Sequence, residues 1–176
     1  MPDPASPQGQ GLTFLLGGAR SGKSAHAEKL VTALPAPWCY IATAQAFDDE
    51  MAERIFTHRT RRPAGWRTVD APLDLVDALD VVPDGQPVLL DCLTLWLSNH
   101  LLAGSDLDKE CDALTRVLAK PRGPWFVVSN EVGLGIVPDN ALSRRFRDAA
   151  GRLHQQVAVA ADRVLLLVAG LPLKVK

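Results

Sequence analysis

Short apolar runs rich in β-branched and aromatic residues recur along the chain and alternate with segments of helical periodicity. The runs are continuous rather than alternating, which is typical of strands covered on both faces in a mostly parallel sheet. The predicted strands are Leu12–Leu16, Trp38–Ala42, Pro87–Asp91, Trp125–Ser129 and Arg163–Val168. The predicted helices are Ser24–Leu34, Asp49–Arg61, Leu73–Val81, Leu93–Leu102, Asp106–Ala119 and Asn140–Ala161. This alternation predicts an α/β fold with a mostly parallel central sheet flanked by helices.

A length of 176 residues, with 47% hydrophobic and 22% charged residues, is typical of one globular domain. The Pro-, Gln- and Gly-rich residues 1–11 are predicted to be a disordered tail, and residues 12–176 a single catalytic domain. The segment Thr60–Asp70 interrupts the alternation with a charged excursion. It predicts an active-site loop that leads into an edge strand at Trp66–Asp70.

The charges nearly cancel, with 19 Lys plus Arg against 20 Asp plus Glu. This balance favours a small-molecule partner and not a nucleic acid. Cys39, Cys92 and Cys111 are an odd number without short pair spacing, which predicts reduced thiols in the cytoplasm. No apolar run approaches the roughly 20 residues that span a bilayer, so we expect no stable membrane insertion.

The residues that follow the first predicted strand fit the phosphate-binding pattern G-x-x-x-x-G-K-[ST] and precede a helix, as this motif requires. Backbone amides and the positive end of the helix are expected to hold phosphate oxygens. Lys23 would bridge the β- and γ-phosphates, and the Ser24 hydroxyl would bind Mg²⁺. The motif predicts a P-loop NTPase of the RecA-like type whose loop consists of Gly17, Gly18, Ala19, Arg20, Ser21, Gly22, Lys23 and Ser24.

Polar residues also follow two other predicted strands. Asp91 ends an apolar strand, so it is a second candidate ligand for Mg²⁺, with a helix cap as the alternative. Asn130 and Glu131 follow another strand, and Glu131 is a candidate to orient or deprotonate a substrate hydroxyl. Solvated loop residues are the competing interpretation of this pair.

His58 borders both the apolar and the basic stripe of its predicted helix, since Arg54 and Ile55 lie four and three positions before it. By pattern alone, a lone helical histidine beside arginines is more often a surface or packing residue than a catalytic one.

Several sequence blocks occur in order after the tail: Gly17–Ser24, Tyr40–Thr43, Asp48–Met51 with Arg54, Ile55 and His58, Asp91–Thr94, Asn130–Gly133, Gly135–Pro138, Phe146–Asp148, Gly151–Arg152 and Gly170–Lys174. Together they resemble the bifunctional adenosylcobinamide kinase/adenosylcobinamide-phosphate guanylyltransferase family of cobalamin biosynthesis. The chain differs from the usual family residues at Ala44, where Ser is common, at Asp70 and Asp91, which replace Glu, and at His154, where Asn is frequent.

The resemblance implies that the protein phosphorylates adenosylcobinamide with ATP or GTP. It further implies transfer of GMP from GTP to the new phosphate, with release of pyrophosphate. Its Arg-Ile-x-x-His pattern assigns the covalent GMP carrier to His58. Related enzymes assemble as homotrimers, so a trimer is the implied assembly. Besides the phosphate loop, the implied nucleotide contacts are Ala42, Thr43, Ala44, Arg59, Thr60, Arg61, Arg62, Asp70 and Asp91.

Two other functions remain open on the residues alone. The first is a small-molecule kinase without guanylyltransferase activity, in which His58 is structural. The second is a RecA-like nucleotide-dependent binding or switch protein that performs no chemistry on a metabolite. Formation of a GMP–protein adduct separates the first alternative from the bifunctional enzyme, and corrinoid binding excludes the second.

Overall fold

A computed structural model describes residues 11–46, 53, 60, 62 and 64–176. The strands are β1 (Gly11–Gly17), β2 (Trp38–Ala42), β3 (Trp66–Asp70), β4 (Val88–Asp91), β5 (Pro124–Asn130), β6 (Arg163–Val168) and β7 (Leu171–Lys174). The helices that the structure describes are α1 (Lys23–Thr32), α2 (Leu75–Asp80), α3 (Leu93–Ala103), α4 (Leu107–Leu118) and α5 (Ala141–Ala160). The predicted α/β class and the alternation of elements are confirmed.

The seven strands form one sheet in the order β3-β2-β4-β5-β1-β6-β7. The first six strands of that order are parallel, and only β7 runs antiparallel, beside β6. The strand at Trp66–Asp70 lies at one edge of the sheet, as the sequence predicts. Strand order places β1, with its phosphate loop, between β5 and β6 near the centre of the sheet.

Helices cover both faces of the sheet, which explains the continuous apolar runs. In β1, Leu12 and Phe14 pack into a core with α2, α3, α4 and α5. Leu15 belongs to a second core with Ala27 and Val31 of α1 on the opposite face. The central strands are therefore covered by helices on both faces, whereas the edge strands β3 and β7 are more exposed.

Local sequence explains several helix ends. Asp106 and Asn140 begin α4 and α5, and their side chains accept hydrogen bonds from the amides of Lys109 (3.3 Å) and Ser143 (2.7 Å). Gly104 ends α3 in the left-handed region at φ 73°. The observed boundaries of these strands and helices differ from the predicted ones by at most two residues, and Trp38–Ala42 and Arg163–Val168 agree fully.

Two features differ from the sequence predictions. Gly11, assigned to the tail, is the first residue of β1, because its amide donates to the Gly123 carbonyl at 3.2 Å. β7 is a strand that the pattern did not predict, since Leu171–Lys174 is short, exposed and contains Pro172. Proline is compatible with an edge strand, where an amide is not needed for pairing.

The predicted helix Asp49–Arg61 lies almost entirely outside the described residues, as does the predicted tail apart from Gly11. No helix in the described part of the chain is long and apolar enough to cross a membrane.

Candidate functional site

The phosphate loop lies between the carboxyl end of β1 and the first turn of α1. A side-chain carbon at Gly17 would lie 2.8 Å from the Leu167 carbonyl oxygen and would also contact the Ser21 hydroxyl. Gly22 precedes α1 with φ +90°, a conformation that favours glycine, and an added carbon there would lie 3.2 Å from Gly170. Both motif glycines are therefore required by the space and backbone of this loop.

Backbone hydrogen bonds hold the loop in place. The Ser21 amide donates to Gly18 at 3.2 Å, and the Ser21 carbonyl accepts from the Gly170 amide at 2.9 Å. Gly170 and Ala169 form the turn between β6 and β7 and have φ values of 81° and 51°. The β6–β7 hairpin thus supports the phosphate loop from the far end of the sequence.

Lys23 is buried at 8% exposure, and its ammonium donates to the Gly18 carbonyl at 3.2 Å. An ammonium has three N–H donors, and this one makes no other hydrogen bond to the described residues. The Ser21 hydroxyl is likewise buried without a hydrogen-bond partner in the described structure. Buried donors with unused capacity, beside the amides at a helix start, form a suitable environment for phosphate oxygens.

Strand register brings the other candidate residues to the same edge. Ala42 pairs with Asp70 on β3 and with Asp91 on β4, while Gly17 pairs with Asn130 on β5. These positions are the carboxyl ends of parallel strands, where ligands bind in open α/β sheets. Asp91 is half-buried there, whereas Asp70 is exposed on the edge strand.

The charges of both Asp91 and Lys23 act on the Cys92 thiol. Burial raises the pKa of Cys92, and the negative charge of Asp91 raises it further. The Lys23 ammonium acts in the opposite direction and lowers the same pKa, as do hydrogen bonds from Thr94 and the Leu95 backbone. The thiol therefore remains protonated beside the acidic strand end.

Thr43 is fully buried, and its hydroxyl makes hydrogen bonds inside the protein. The hydroxyl donates to the Cys92 carbonyl at 2.7 Å and accepts from the Cys92 amide at 2.8 Å. The Asn99 side chain donates to the Thr43 carbonyl at 2.9 Å. In this structure Thr43 supports the residue that follows Asp91, while its neighbours Ala42 and Ala44 are partly exposed at the same edge.

Asn130 and Glu131 also interact with the protein itself. The Asn130 side-chain amide donates to the Thr94 hydroxyl at 2.8 Å, and Thr94 lies 3.1 Å from the Cys92 sulfur. A Glu131 carboxylate oxygen accepts from the Gly133 amide at 2.5 Å, and the Glu131 amide donates to Gly17 at 3.0 Å. The two side chains therefore help to fix the loop beside the P-loop, and a role toward substrate remains a prediction.

Tyr40 links residues that are far apart in sequence. Its hydroxyl donates to Oδ2 of Asp91 at 3.1 Å, and the Arg62 guanidinium lies 3.3 Å from the centre of its ring. Burial and the nearby Asp91 carboxylate raise the pKa of Tyr40 well above its ordinary value, so the hydroxyl remains a donor. Tyr40 was part of a family block in the sequence, but its contact with Asp91 could not be predicted from it.

Several predicted site residues lie outside the described residues, namely His58, Arg59 and Arg61. Thr60 and Arg62, two and four positions beyond His58, are described: Thr60 is exposed, and Arg62 donates to the Thr68 hydroxyl at 3.0 Å. In the described part of the chain, no group of three or more His, Cys, Asp or Glu side chains could hold a metal ion.

A central parallel sheet with a glycine-built phosphate loop, a buried lysine and an acidic strand end defines a P-loop nucleotide-binding protein of the α/β class. Residues 13–175 match the model of the CobU family, described as cobinamide kinase / cobinamide phosphate guanyltransferase. The chain belongs to this family, and the resemblance noted in the sequence is confirmed.

Curated relatives agree with the family match. The chain is 51% identical over 166 residues to the bifunctional adenosylcobalamin biosynthesis protein CobP of Pseudomonas aeruginosa, covering 93% of this chain and 96% of that protein. It is 42% identical over 182 residues to the bifunctional adenosylcobalamin biosynthesis protein CobU of Salmonella typhimurium, covering 94% and 99%. These relatives match nearly the full length of the chain.

Solved structures show a similar fold at low sequence identity. A protein of Pyrococcus horikoshii OT3 superposes with a TM-score of 0.53 and 9% identity, covering 94% of this chain and 86% of that chain. An ATPase of the type III secretion system of pathogenic bacteria has a TM-score of 0.53 and 13% identity, covering 89% and 50%. The expected P-loop NTPase fold is confirmed.

Proposed function

We propose that this protein phosphorylates adenosylcobinamide with ATP or GTP and then transfers GMP from GTP to the resulting phosphate. The main support is the phosphate loop, in which Lys23 is buried at the same sheet edge as Asp91. The chain also belongs to the cobinamide kinase / cobinamide phosphate guanyltransferase family. The family includes both activities, which favours the bifunctional enzyme over a kinase alone.

In the kinase step, the substrate hydroxyl oxygen attacks the γ-phosphorus while the bond to the β-phosphate oxygen breaks. Lys23 and the loop amides hold the phosphates in line and stabilise the charge that develops on their oxygens. The proton of the hydroxyl goes to a nearby acceptor, for which Glu131 is the candidate. The products are adenosylcobinamide phosphate and the nucleoside diphosphate.

In the transfer step, a neutral ring nitrogen of His58 attacks the α-phosphorus of GTP, and pyrophosphate leaves. The GMP–histidine bond then breaks when a phosphate oxygen of adenosylcobinamide phosphate attacks the same phosphorus. This step restores His58 and forms adenosylcobinamide-GDP. Arginines at positions 59, 61 and 62 suit the charge of the triphosphate.

The residues at the sheet edge fit Mg²⁺. The Ser24 hydroxyl and the Asp91 carboxylate are oxygen donors, and one Asp91 oxygen accepts no hydrogen bond from the described residues. Mg²⁺ typically takes one or two protein oxygens and completes its shell with phosphates and waters, so a larger protein cluster is not needed. When bound there, the ion would offset phosphate charge.

Three further points belong to the proposal. Residues 12–176 form one catalytic domain, the protein acts in the cytoplasm, and the assembly is a homotrimer. The trimer rests on the family resemblance, and its measurement is the molar mass in solution by light scattering. Guanine nucleotide contacts at Ala42, Thr43, Ala44, Thr60 and Asp70 also remain proposals.

The first prediction tests the covalent step. Wild-type protein incubated with Mg²⁺ and GTP labelled on the α-phosphate should retain acid-labile label after denaturation, and His58→Ala should retain none. The physical reason is that imidazole nitrogen supplies the phosphoramidate bond. GTP labelled on the γ-phosphate should label neither protein, which distinguishes a guanylyl adduct from a phosphoryl one.

His26→Ala is the matched control, because His26 lies in α1 close to the loop and has no role in the proposed transfer. His58→Ala should still phosphorylate adenosylcobinamide. If neither wild type nor variant is labelled while GTP binding and kinase activity are intact, the kinase-only alternative replaces the proposal.

A further inference from the structure

Tyr40 contacts two side chains that lie far apart in the sequence, Asp91 and Arg62. Its ring is 5% exposed within β2, with its hydroxyl on the Asp91 carboxylate at 3.1 Å. The Arg62 guanidinium covers the ring at 3.3 Å, and Trp66 approaches at 5.9 Å between ring centres in an edge-on orientation. One buried side chain therefore contacts both a candidate metal ligand and a candidate phosphate ligand.

The hydroxyl of Tyr40 restrains the Asp91 carboxylate. It is the only side-chain donor to this carboxylate among the described residues, and it binds Oδ2 alone. A single donor on one oxygen sets the carboxylate orientation and leaves the second oxygen available to a cation. Phenylalanine at this position would keep the ring but lose the restraint.

The ring of Tyr40 restrains Arg62. The guanidinium donates to the Thr68 hydroxyl at 3.0 Å, while its buried Nε has no partner among the described residues. A stacked guanidinium with unused donors is suited to bidentate phosphate recognition. In the sequence, Arg62 lies four positions after His58.

The geometry points to Tyr40 as a positioning residue that orients Asp91 toward the magnesium ion of the nucleotide and Arg62 toward its phosphates. This inference rests on the proposed function and adds a residue that contacts both a candidate metal ligand, Asp91, and a candidate phosphate ligand, Arg62. Tyr40 acts through these two side chains and touches neither substrate nor metal itself.

The second prediction separates the contact of the Tyr40 hydroxyl with Asp91 from the contact of the Tyr40 ring with Arg62. Tyr40→Phe should raise the Mg²⁺ concentration for half-maximal activity about tenfold, because it removes a hydrogen bond to a charged group. At saturating Mg²⁺ its rate of GMP-adduct formation should approach that of wild type. Arg62→Gln should do the reverse, raising the KM for GTP with little change in Mg²⁺ dependence.

Phe126→Leu is the matched packing control. Phe126 belongs to the same core cluster as Tyr40 but lies on β5, two strands away from β2. It should lower stability without changing Mg²⁺ dependence. A shift in Mg²⁺ dependence as large as that of Tyr40→Phe would show that packing alone is responsible, and would overturn the inference.

A spectroscopic readout is independent of turnover, because Tyr40 is the only tyrosine in the chain. Protein labelled with ¹³C at the tyrosine ζ-carbon should give one resonance. We expect it to shift when Mg²⁺ is added to protein saturated with a GTP analogue that has a methylene group between the α- and β-phosphates. Asp91→Asn should abolish that Mg²⁺-dependent shift while retaining the shift caused by the nucleotide alone.

The outcomes distinguish this inference from the proposed function. A resonance that responds to Mg²⁺, in a protein that never forms the GMP adduct, supports the Tyr40 role and rejects the guanylyl transfer. The opposite outcome is a tyrosine resonance that shifts with neither Mg²⁺ nor nucleotide, together with wild-type Mg²⁺ dependence in Tyr40→Phe. It would show that Tyr40 only packs in the core, whatever the result of the adduct assay.

Discussion

The two edges of the central sheet differ in chemistry and in shape. At the carboxyl edge lie Lys23, Asp91 and Asn130, and partly buried hydrogen bonds hold their side chains. The amino edge contains a cavity of about 910 Å³ lined by prolines 35, 37, 83, 87 and 124, together with Arg67 and Asp84. The cavity therefore lies at the opposite edge from the residues suited to phosphate chemistry.

The difference follows from the direction of the chain. In a parallel sheet, helices begin at the carboxyl edge and present free amides, which attract phosphate. Helices end at the amino edge and present free carbonyls, which repel it. Arg122 illustrates this, because its guanidinium donates to the carbonyls of Leu79 (2.9 Å), Asp80 (2.8 Å) and Val82 (3.2 Å) at the end of α2. Backbone polarity, and not cavity size, identifies the nucleotide edge.

The largest expected effect comes from the carboxyl edge. Lys23→Ala should lower both kinase and guanylyltransferase rates by about 100-fold or more, because it removes a buried cation from the phosphates. Initial rates with ATP and GTP provide the measurement. Lys29→Ala, an exposed lysine on the same helix, is the control and should leave both rates unchanged. Equal losses in the two variants would contradict the assignment of the phosphate edge.

An intermediate effect is expected at the amino edge, and on stability alone. Arg122→Ala should lower the free energy of unfolding by about 1–2 kcal/mol, since three carbonyls at the end of α2 lose their donor. Urea unfolding measures this. Asp84→Ala, which removes only an exposed ion partner at 3.4 Å, should cost less than about 0.5 kcal/mol. Reduced GTP turnover in folded Arg122→Ala would place the amino edge in the active site and contradict its purely structural role.

The smallest expected effect is on the pH dependence of stability, and it involves His154, which lies beneath the carboxyl edge. His154 is buried with Nε2 2.8 Å from the Ser129 hydroxyl, and burial lowers its pKa from the ordinary 6.5. Below pH 6.5 the unfolded chain then binds more protons than the folded one, so stability falls as the pH decreases, by no more than about 1.4 kcal/mol per pH unit.

His154→Gln should flatten the pH dependence of unfolding between pH 7 and 5, as measured by urea midpoints. His26→Gln should flatten it less, since His26 is only partly buried and its pKa is lowered by that burial and by Lys29 and Arg163. An unchanged slope in His154→Gln would show that this histidine is protonated alike in both states.

The sequence alone predicted the elements whose signals are local. Continuous apolar runs indicated strands covered on both faces, and the spacing of Gly17, Gly22, Lys23 and Ser24 indicated the phosphate loop. These signals depend only on residues close together in the sequence, so they can be recognised without knowledge of the fold. The family blocks are also short local motifs, and they predicted the family to which the chain belongs.

Only the tertiary structure decided which distant residues meet. Tyr40 and Asp91 are 51 positions apart, and their hydrogen bond depends on β2 lying beside β4. Gly170 supports Ser21 only because β6 and β7 close a hairpin against the loop. Strand order arises from packing of the whole chain, and no local pattern contains it, so the contacts that position the site appear only when the sheet is assembled.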